Sequence, residues 1–433
     1  MLKRINPDLL TKFLIFLVIF SLGLGLGSTY INKNSQTTTK FVEKNTAKAF
    51  ISEIYDKIKE NYWDNTSDNQ LLDLFKLSFD KNGGSISVAK FESKEKLLGS
   101  IAESTHNMNE DQRNKFLSNV AGTVLASLNP SGRSGLYTQK NEEQLKNTVN
   151  NVDPGKDLYS DLGLSKGASS EAVTKAYQKK AEDLKKDNSP QAQEKLKQIA
   201  YSKDVLTKQD TKLRYDSAQI EPTIFTRIAR PGILYMQFKK FSPTSYDEFI
   251  KAFDAYKDDP NLTGLIFDLR GNIGGAIDAT PYFLGNFIGK NQYAFDFYHK
   301  GEYLPFKTPT EKLASVSKYK QVVILVDNQT QSSAEIMTAS FKKYHVGVVV
   351  GVPTKGWGTV ERVFPLDNQI SKTEIYSIFL VHSITIREDN QPIEGRGVEP
   401  DINIKGENWQ NQLLQYYNNQ SLIEAIREIL NRS

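Results

Sequence analysis

Apolar residues fall into distinct patterns along this chain, and each pattern predicts a different structure. Residues 13–31 carry no charge and follow Lys3, Arg4 and Lys12. A bilayer-spanning helix needs roughly 20 such residues, and the basic residues ahead of the run predict its amino end inside and the bulk of the chain outside. The run is expected to be an uncleaved single-pass anchor in a cell membrane. A cleaved signal peptide is the alternative, although no A-x-A site follows and Gly25-Leu26-Gly27-Ser28-Thr29 is a poor substitute. After a polar tether, a helical period begins: Phe50, Ile54 and Ile58 share one face, with Ile51 and Tyr55 beside them. Further helix is expected over 71–79 and 116–128.

From Pro231 the pattern changes to strands alternating with helices. Residues 232–238 alternate as a strand, 246–256 have helical period, and 262–269 read as a buried strand ending in Arg270-Gly271-Asn272-Ile273-Gly274-Gly275. The apolar run 322–326 is a second buried strand. It leads through Asp327 and Asn328 to Ser332-Ser333-Ala334-Glu335, a helix start, and then to a third strand over 346–352. The loop that follows, Thr354-Lys355-Gly356-Trp357-Gly358, places glycine at alternate positions. These patterns divide the chain into an anchor (1–31), an N-terminal helical domain (32–155), a small helical module (156–217) and an α/β core (218–433).

Composition narrows the chemistry. A chain of 433 residues accommodates two or three domains. Lys+Arg 55 against Asp+Glu 51 leaves a net charge of +4, which gives no reason to expect a nucleic-acid partner. Absence of cysteine excludes disulfides, thiolate catalysis and Cys-ligated metals. His106, His299, His345 and His382 lie far apart, so no metal site and no cofactor are expected.

Ser332 stands where strand gives way to helix, and free N–H groups at a helix N-terminus favour developing negative charge. The same residues also have a purely structural reading, since Ser332-x-x-Glu335 is a capping box. The glycine turn after 262–269 could be an ordinary strand–helix turn; it lacks the G-x-G-x-x-G of a dinucleotide site.

Three blocks together resemble the tail-specific, or carboxyl-terminal processing, serine proteases. The D-L-R-x-N-x-G-G signature of that family fits residues 268–275. Its S-A-S-E-I nucleophile segment fits 332–336, and its closing G-x-x-I-x-G-x-G-V-x-P-D is similar to 390–401. Leu128-Asn129-Pro130-Ser131 resembles the family's L-D-P-H-S turn and is equally readable as a plain Asn-Pro turn. The resemblance implies a core of crotonase-like strand–strand–helix units. It also implies a serine endopeptidase acting on protein or peptide substrates with Ser332 as nucleophile, and an oxyanion hole formed by Ser333 with Gly274 or Gly275. The family's lysine base falls on Trp357 and its orienting glutamine on Glu361. An indole N–H donates and cannot accept a proton. Lys355, one alternation step earlier, is therefore the expected base, with Glu361 as its orienting partner. A carboxylate there raises a lysine's pKa, which opposes that role. The alternative is a non-catalytic relative that keeps the peptide cleft as a scaffold or adaptor, with Trp357 occluding the site or packing in the core.

Between the N-terminal helices and the core, the family places a PDZ domain. Here 156–217 instead resembles a J-domain, through Leu158-Tyr159-Ser160-Asp161-Leu162-Gly163, Ala176-Tyr177-Gln178-Lys179-Lys180-Ala181 and Leu213-Arg214-Tyr215-Asp216. The His-Pro-Asp loop by which J-domains stimulate their ATPase aligns with Lys185-Lys186-Asp187, where only the aspartate remains. A chaperone ATPase partner is therefore not expected; a spacer or docking module is.

Overall fold

The computed structural model describes residues 46–84 and 89–431. The expected anchor lies outside the described residues. Among those described, no helix is long and apolar enough to cross a membrane.

Helices open the chain: α1 (Thr46–Asn61), α2 (Asp68–Lys81), α3 (Lys94–Thr105) and α4 (Glu110–Ser127). Ser67 and Asn109 cap α2 and α4 with the reciprocal Gln70 and Gln112 bonds of a capping box. Their apolar faces do not form an independent core. Phe50, Ile54, Phe75 and Val124 pack in one cluster with Ile378, Leu380 and Ile384 from near the carboxyl end. After the turn at Asn129–Arg133 come β1 (Gly135–Thr138) and α5 (Gln139–Asn150).

Next is a helical insertion, α6 (Ser170–Leu184), α7 (Pro190–Thr207) and α8 (Gln209–Ala218), around Leu158, Tyr159, Val173, Ile199 and Leu206. Chain entry and exit meet in an antiparallel bridge, Val152 to Ile220, which lets the segment sit as a side module.

The rest is α/β: β2 (Ile224–Arg230), β3 (Ile233–Phe238), α9 (Ser245–Asp254), β4 (Gly264–Asp268), α10 (Thr280–Ile288), β5 (Tyr293–His299), β6 (Glu302–Lys307), β7 (Gln321–Val326), α11 (Ser333–Lys343), β8 (Val348–Gly351), β9 (Thr359–Pro365), β10 (Tyr376–Ile386), β11 (Ile402–Asn403), α12 (Trp409–Tyr417) and α13 (Gln420–Asn431). One sheet has the order β11-β8-β7-β4-β3-β2, parallel except where β2 meets β3. Both its faces are covered, which is why 264–268 and 322–326 read as unbroken apolar runs. Phe267 and Ile324 face α9, α10 and α11, whereas Ile266, Val323 and Leu325 face α12 and α13. The second sheet is antiparallel, β1-β10-β5-β6 with β9 also paired to β10. The parallel strands β4 and β7 end side by side, Asp268 opposite Leu325, and the loops leaving them converge.

Candidate active site

Ser332 is held against the glycine turn by a set of short-range bonds. Beyond β7, Asp327 Oδ1 accepts from the N–H groups of Gln329 (3.0 Å), Thr330 (2.9 Å) and Gly271 (3.0 Å), tying the two loops together. The Thr330 hydroxyl donates to the Leu269 carbonyl at 2.9 Å, and Gln331 N–H to the Asn272 carbonyl at 2.9 Å. On the other loop, buried Asp268 accepts from Arg270 (2.7 Å) and from the Tyr235 hydroxyl (2.9 Å). Asn272 donates to the Phe238 carbonyl (2.7 Å) and accepts from Gly274 N–H (2.9 Å). Asp268, Leu269, Arg270, Asn272 and Gly274 of the 268–275 signature thus each have a hydrogen-bond partner.

Two of its glycines are required by space. A methyl on Gly274 would lie 2.6 Å from the Ser332 Cβ, and one on Gly275 would lie 2.0 Å from the Phe241 carbonyl oxygen. Both also have positive φ, 79° and 133°. Ser332 itself has φ 57° and ψ −125°, a strained backbone for a residue with a side chain.

The expected oxyanion donors differ in their hydrogen bonding. Gly274 N–H is committed to Asn272, so it is corrected from donor to the residue that allows close approach. Gly275 N–H and Ser333 N–H donate to no partner among the described residues, and Ser333 opens α11, where N–H groups lack intrahelical acceptors. The Ser333 hydroxyl donates to the Gly275 carbonyl at 3.2 Å, fixing the two segments to each other.

Glu335 does more than cap a helix. Fully buried, it accepts from Ser332 N–H (2.8 Å), Trp357 N–H (2.8 Å), Gly356 N–H (2.7 Å) and the Thr354 hydroxyl (2.5 Å). Burial pushes its carboxyl up from the ordinary value against the pull of those four donors. Through it, one carboxylate fixes the serine and the 354–357 loop together. The closing glycine block supports the loop from behind: Gly395 N–H donates to the Gly356 carbonyl (3.0 Å), and Gly358 N–H to Glu394 (2.8 Å).

The structure does not bring Lys355 to the serine. Its side chain is exposed, with Nζ 5.6 Å from the centre of the Trp357 ring. The expectation of Lys355 paired with Glu361 fails for a backbone reason. Gly356 has φ 78°, so the loop is not extended there, and the Lys355 side chain lies out by the Trp357 ring. Glu361 instead accepts from the Trp357 indole N–H at 3.2 Å and the Thr359 hydroxyl at 2.5 Å. Burial pushes the Glu361 carboxyl up to about 7.

Sequence reasoning missed Arg133. Its guanidinium stacks on Trp357, 3.4 Å from the ring centre, and is held by Glu394 at 3.0 Å. The signal was the Asn-Pro turn just before it: Asn129 carbonyl accepts from Trp63 at 2.7 Å, pinning this turn beside the second sheet.

With this geometry in place, comparison with known proteins gives a consistent result. Residues 232–404 match the sequence model described as Peptidase family S41. That segment is similar to the tail-specific serine peptidases. Residues 157–216 match the DnaJ domain, in agreement with the J-like segment. The chain is 27% identical over 204 residues to a probable CtpA-like serine protease of Staphylococcus epidermidis, covering 46% of this chain and 39% of that protein. It is 26% identical over 194 residues to the carboxy-terminal processing protease CtpA of Bacillus subtilis, covering 45% and 39%. The chain thus spans about two-fifths of the length of the curated relatives it matches. Among solved structures, it is similar to a photosystem II D1 C-terminal processing protease at 14% identity and a TM-score of 0.45, covering 83% of this chain and 93% of that one.

Proposed function

We propose that this protein is a serine endopeptidase that cleaves polypeptides by acyl-enzyme chemistry at Ser332, anchored in a membrane through residues 13–31 with its bulk outside the cytoplasm. One observation carries the catalytic part. Ser332 has a strained positive-φ conformation packed against the glycine turn, and among the described residues the N–H groups of Gly275 and Ser333 donate to no partner. Such strain costs of order 1–3 kcal/mol and clusters at functional sites. An attacking Ser332 oxygen would place the carbonyl oxygen of the substrate between these donors, where a developing oxyanion is stabilised. The anchor is supported by the uncharged run and its basic flank.

Turnover of casein by full-length protein in detergent, compared with Ser332→Ala, tests the reading. Turnover by the parent and at least 100-fold less by the variant is expected; equal rates would reject Ser332 as nucleophile. A second reading, a peptide-binding scaffold without catalysis, is favoured by Trp357 at the position of the family's lysine. It predicts peptide binding with no turnover in either protein. For the anchor, the protein is expected to stay in the membrane pellet through alkaline carbonate washing.

A further inference from the structure

We infer that the J-like segment sets the geometry of the oxyanion hole: Arg214 of α8 is a positioning residue for the Gly275 N–H, acting through Glu248, Thr223 and Ser245. This rests on the peptidase reading above and concerns how one donor of that site is held.

The donor is aimed by a bond made on the far side of its own peptide. Gly275 N–H and the Gly274 carbonyl belong to one planar trans unit, so they point in opposite directions. The Gly274 carbonyl accepts from Phe241 N–H at 2.9 Å, and Ala276 N–H donates to the Phe241 carbonyl at 2.8 Å. Phe241 and Gly275 thus lie side by side as a parallel bridge. Any shift of Phe241 turns the Gly275 N–H with it.

One hydroxyl holds Phe241 from behind. Ser245 donates to the Lys240 carbonyl at 2.9 Å and accepts from Ser242 N–H at 2.8 Å, so it grips the residues on both sides of Phe241. It also shares a 2.7 Å hydrogen bond with the Thr223 hydroxyl, and both residues are fully buried. The Thr223 carbonyl accepts from Lys239 N–H at 2.9 Å, which fixes the same segment at its start.

Thr223 is in turn placed by Glu248. Oε2 of that carboxylate accepts from Thr223 N–H (2.7 Å), the Thr223 hydroxyl (3.1 Å) and Ile224 N–H (3.1 Å). Oε1 accepts from the Thr244 hydroxyl and from Arg214, both at 2.8 Å. The Glu248 side chain is 7% exposed, and Arg214 is the cation paired with it. A carboxylate so buried keeps its charge and place through its cation; without one it must bind a proton or turn towards water. Arg214 therefore stands at the head of a contiguous series of hydrogen bonds ending at the Gly274–Gly275 peptide, the kind of physical network that carries coupling. A second ion pair joins the same two helices without entering this series: Lys251 of α9 meets Asp210 of α8 at 2.5 Å on the exposed surface.

The test is turnover of dye-labelled casein by full-length protein in detergent, with kcat and KM read separately. Arg214→Met keeps the apolar stem and removes the charge and its donors. It is expected to lower kcat about 10-fold, because small misplacements of a catalytic group act on the chemical step, with KM within about two-fold of the parent. Arg214→Lys returns a cation and is expected to recover kcat to within about three-fold of the parent. Ser332 phosphonylation by a fluorophosphonate, which also builds charge on an oxygen, is expected to slow in step with kcat. Lys251→Ala, which cuts the exposed pair between the same helices, is expected to keep the parent's kcat. Should Arg214→Met not fold by circular dichroism, Thr223→Val carries the test, since it breaks the series inside the core and is expected to show the same fall. The parent's kcat in folded Arg214→Met or in Thr223→Val would overturn the inference and leave the peptidase reading intact. So would a raised KM at unchanged kcat, or an equal fall in Lys251→Ala. No turnover by folded parent protein would reject the peptidase reading and this inference with it.

Discussion

Ser332 stores its cost in the backbone, and that makes a stability prediction possible. Ser332→Gly relieves a positive φ, and the variant is expected to gain about 1 kcal/mol in urea unfolding while losing all casein turnover. Gly274→Ala has the opposite sign, because its methyl meets the Ser332 Cβ at 2.6 Å. It is expected to lower the melting temperature and abolish turnover together. Glu361 makes a pH prediction. Its folded value, about 7, lies above the ordinary 4.5, so between those limits the folded state holds more protons than the unfolded state. Stability therefore falls as pH rises through that window and levels off above it. The component amounts to about 3 kcal/mol at most, and Glu361→Gln is expected to lack it in urea titrations at pH 4.5 and 8. At this scale the sequence was informative where spacing is fixed by backbone contact. Ser332, Ser333 and the glycine pair could be placed for that reason. Lys355 could not, because the loop is not extended at Gly356 and alternation along a strand does not apply there.

Among the elements, the loop 354–358 and helix α11 act as a unit joined by Glu335. Glu335→Ala leaves the N–H groups of Ser332, Gly356 and Trp357 without their acceptor. Each unsatisfied buried group costs about 1–3 kcal/mol, so a loss of several kcal/mol in unfolding free energy is expected, with slower phosphonylation of whatever remains folded. The buried strands of the parallel sheet were legible as continuous apolar runs, since both faces are covered. The antiparallel sheet was not. Its longest strand, β10, is bulged between Val381 and Ser383 and pairs with segments as distant as β1, so neither local period nor neighbouring sequence announces it. Arg133 was hidden for the same reason: nothing local connects it to Trp357, which lies across that sheet.

On the scale of the molecule, the J-like segment is joined to the core by charge. Arg214 of α8 donates to Glu248 of α9 at 2.8 Å, and Glu248 also accepts from Thr223 N–H (2.7 Å) and the Thr244 hydroxyl (2.8 Å). Glu221 receives Lys156 at 2.9 Å and the Tyr201 hydroxyl. Because Glu248 is buried and multiply bonded, Arg214→Ala is expected to cost about 1–3 kcal/mol and to speed proteolytic nicking between residues 150 and 220. This segment was recognisable from its own helices, whereas its attachment to the core required the fold. The N-terminal helices likewise complete the antiparallel sheet through one shared cluster, a connection no single helix face could reveal. All of this scaffolding converges on one hydroxyl. The most direct test is the mass of the full-length protein after fluorophosphonate treatment at pH 8. The account predicts a single adduct, mapped to Ser332 and absent from Ser332→Ala; folded protein that remains unmodified would contradict it.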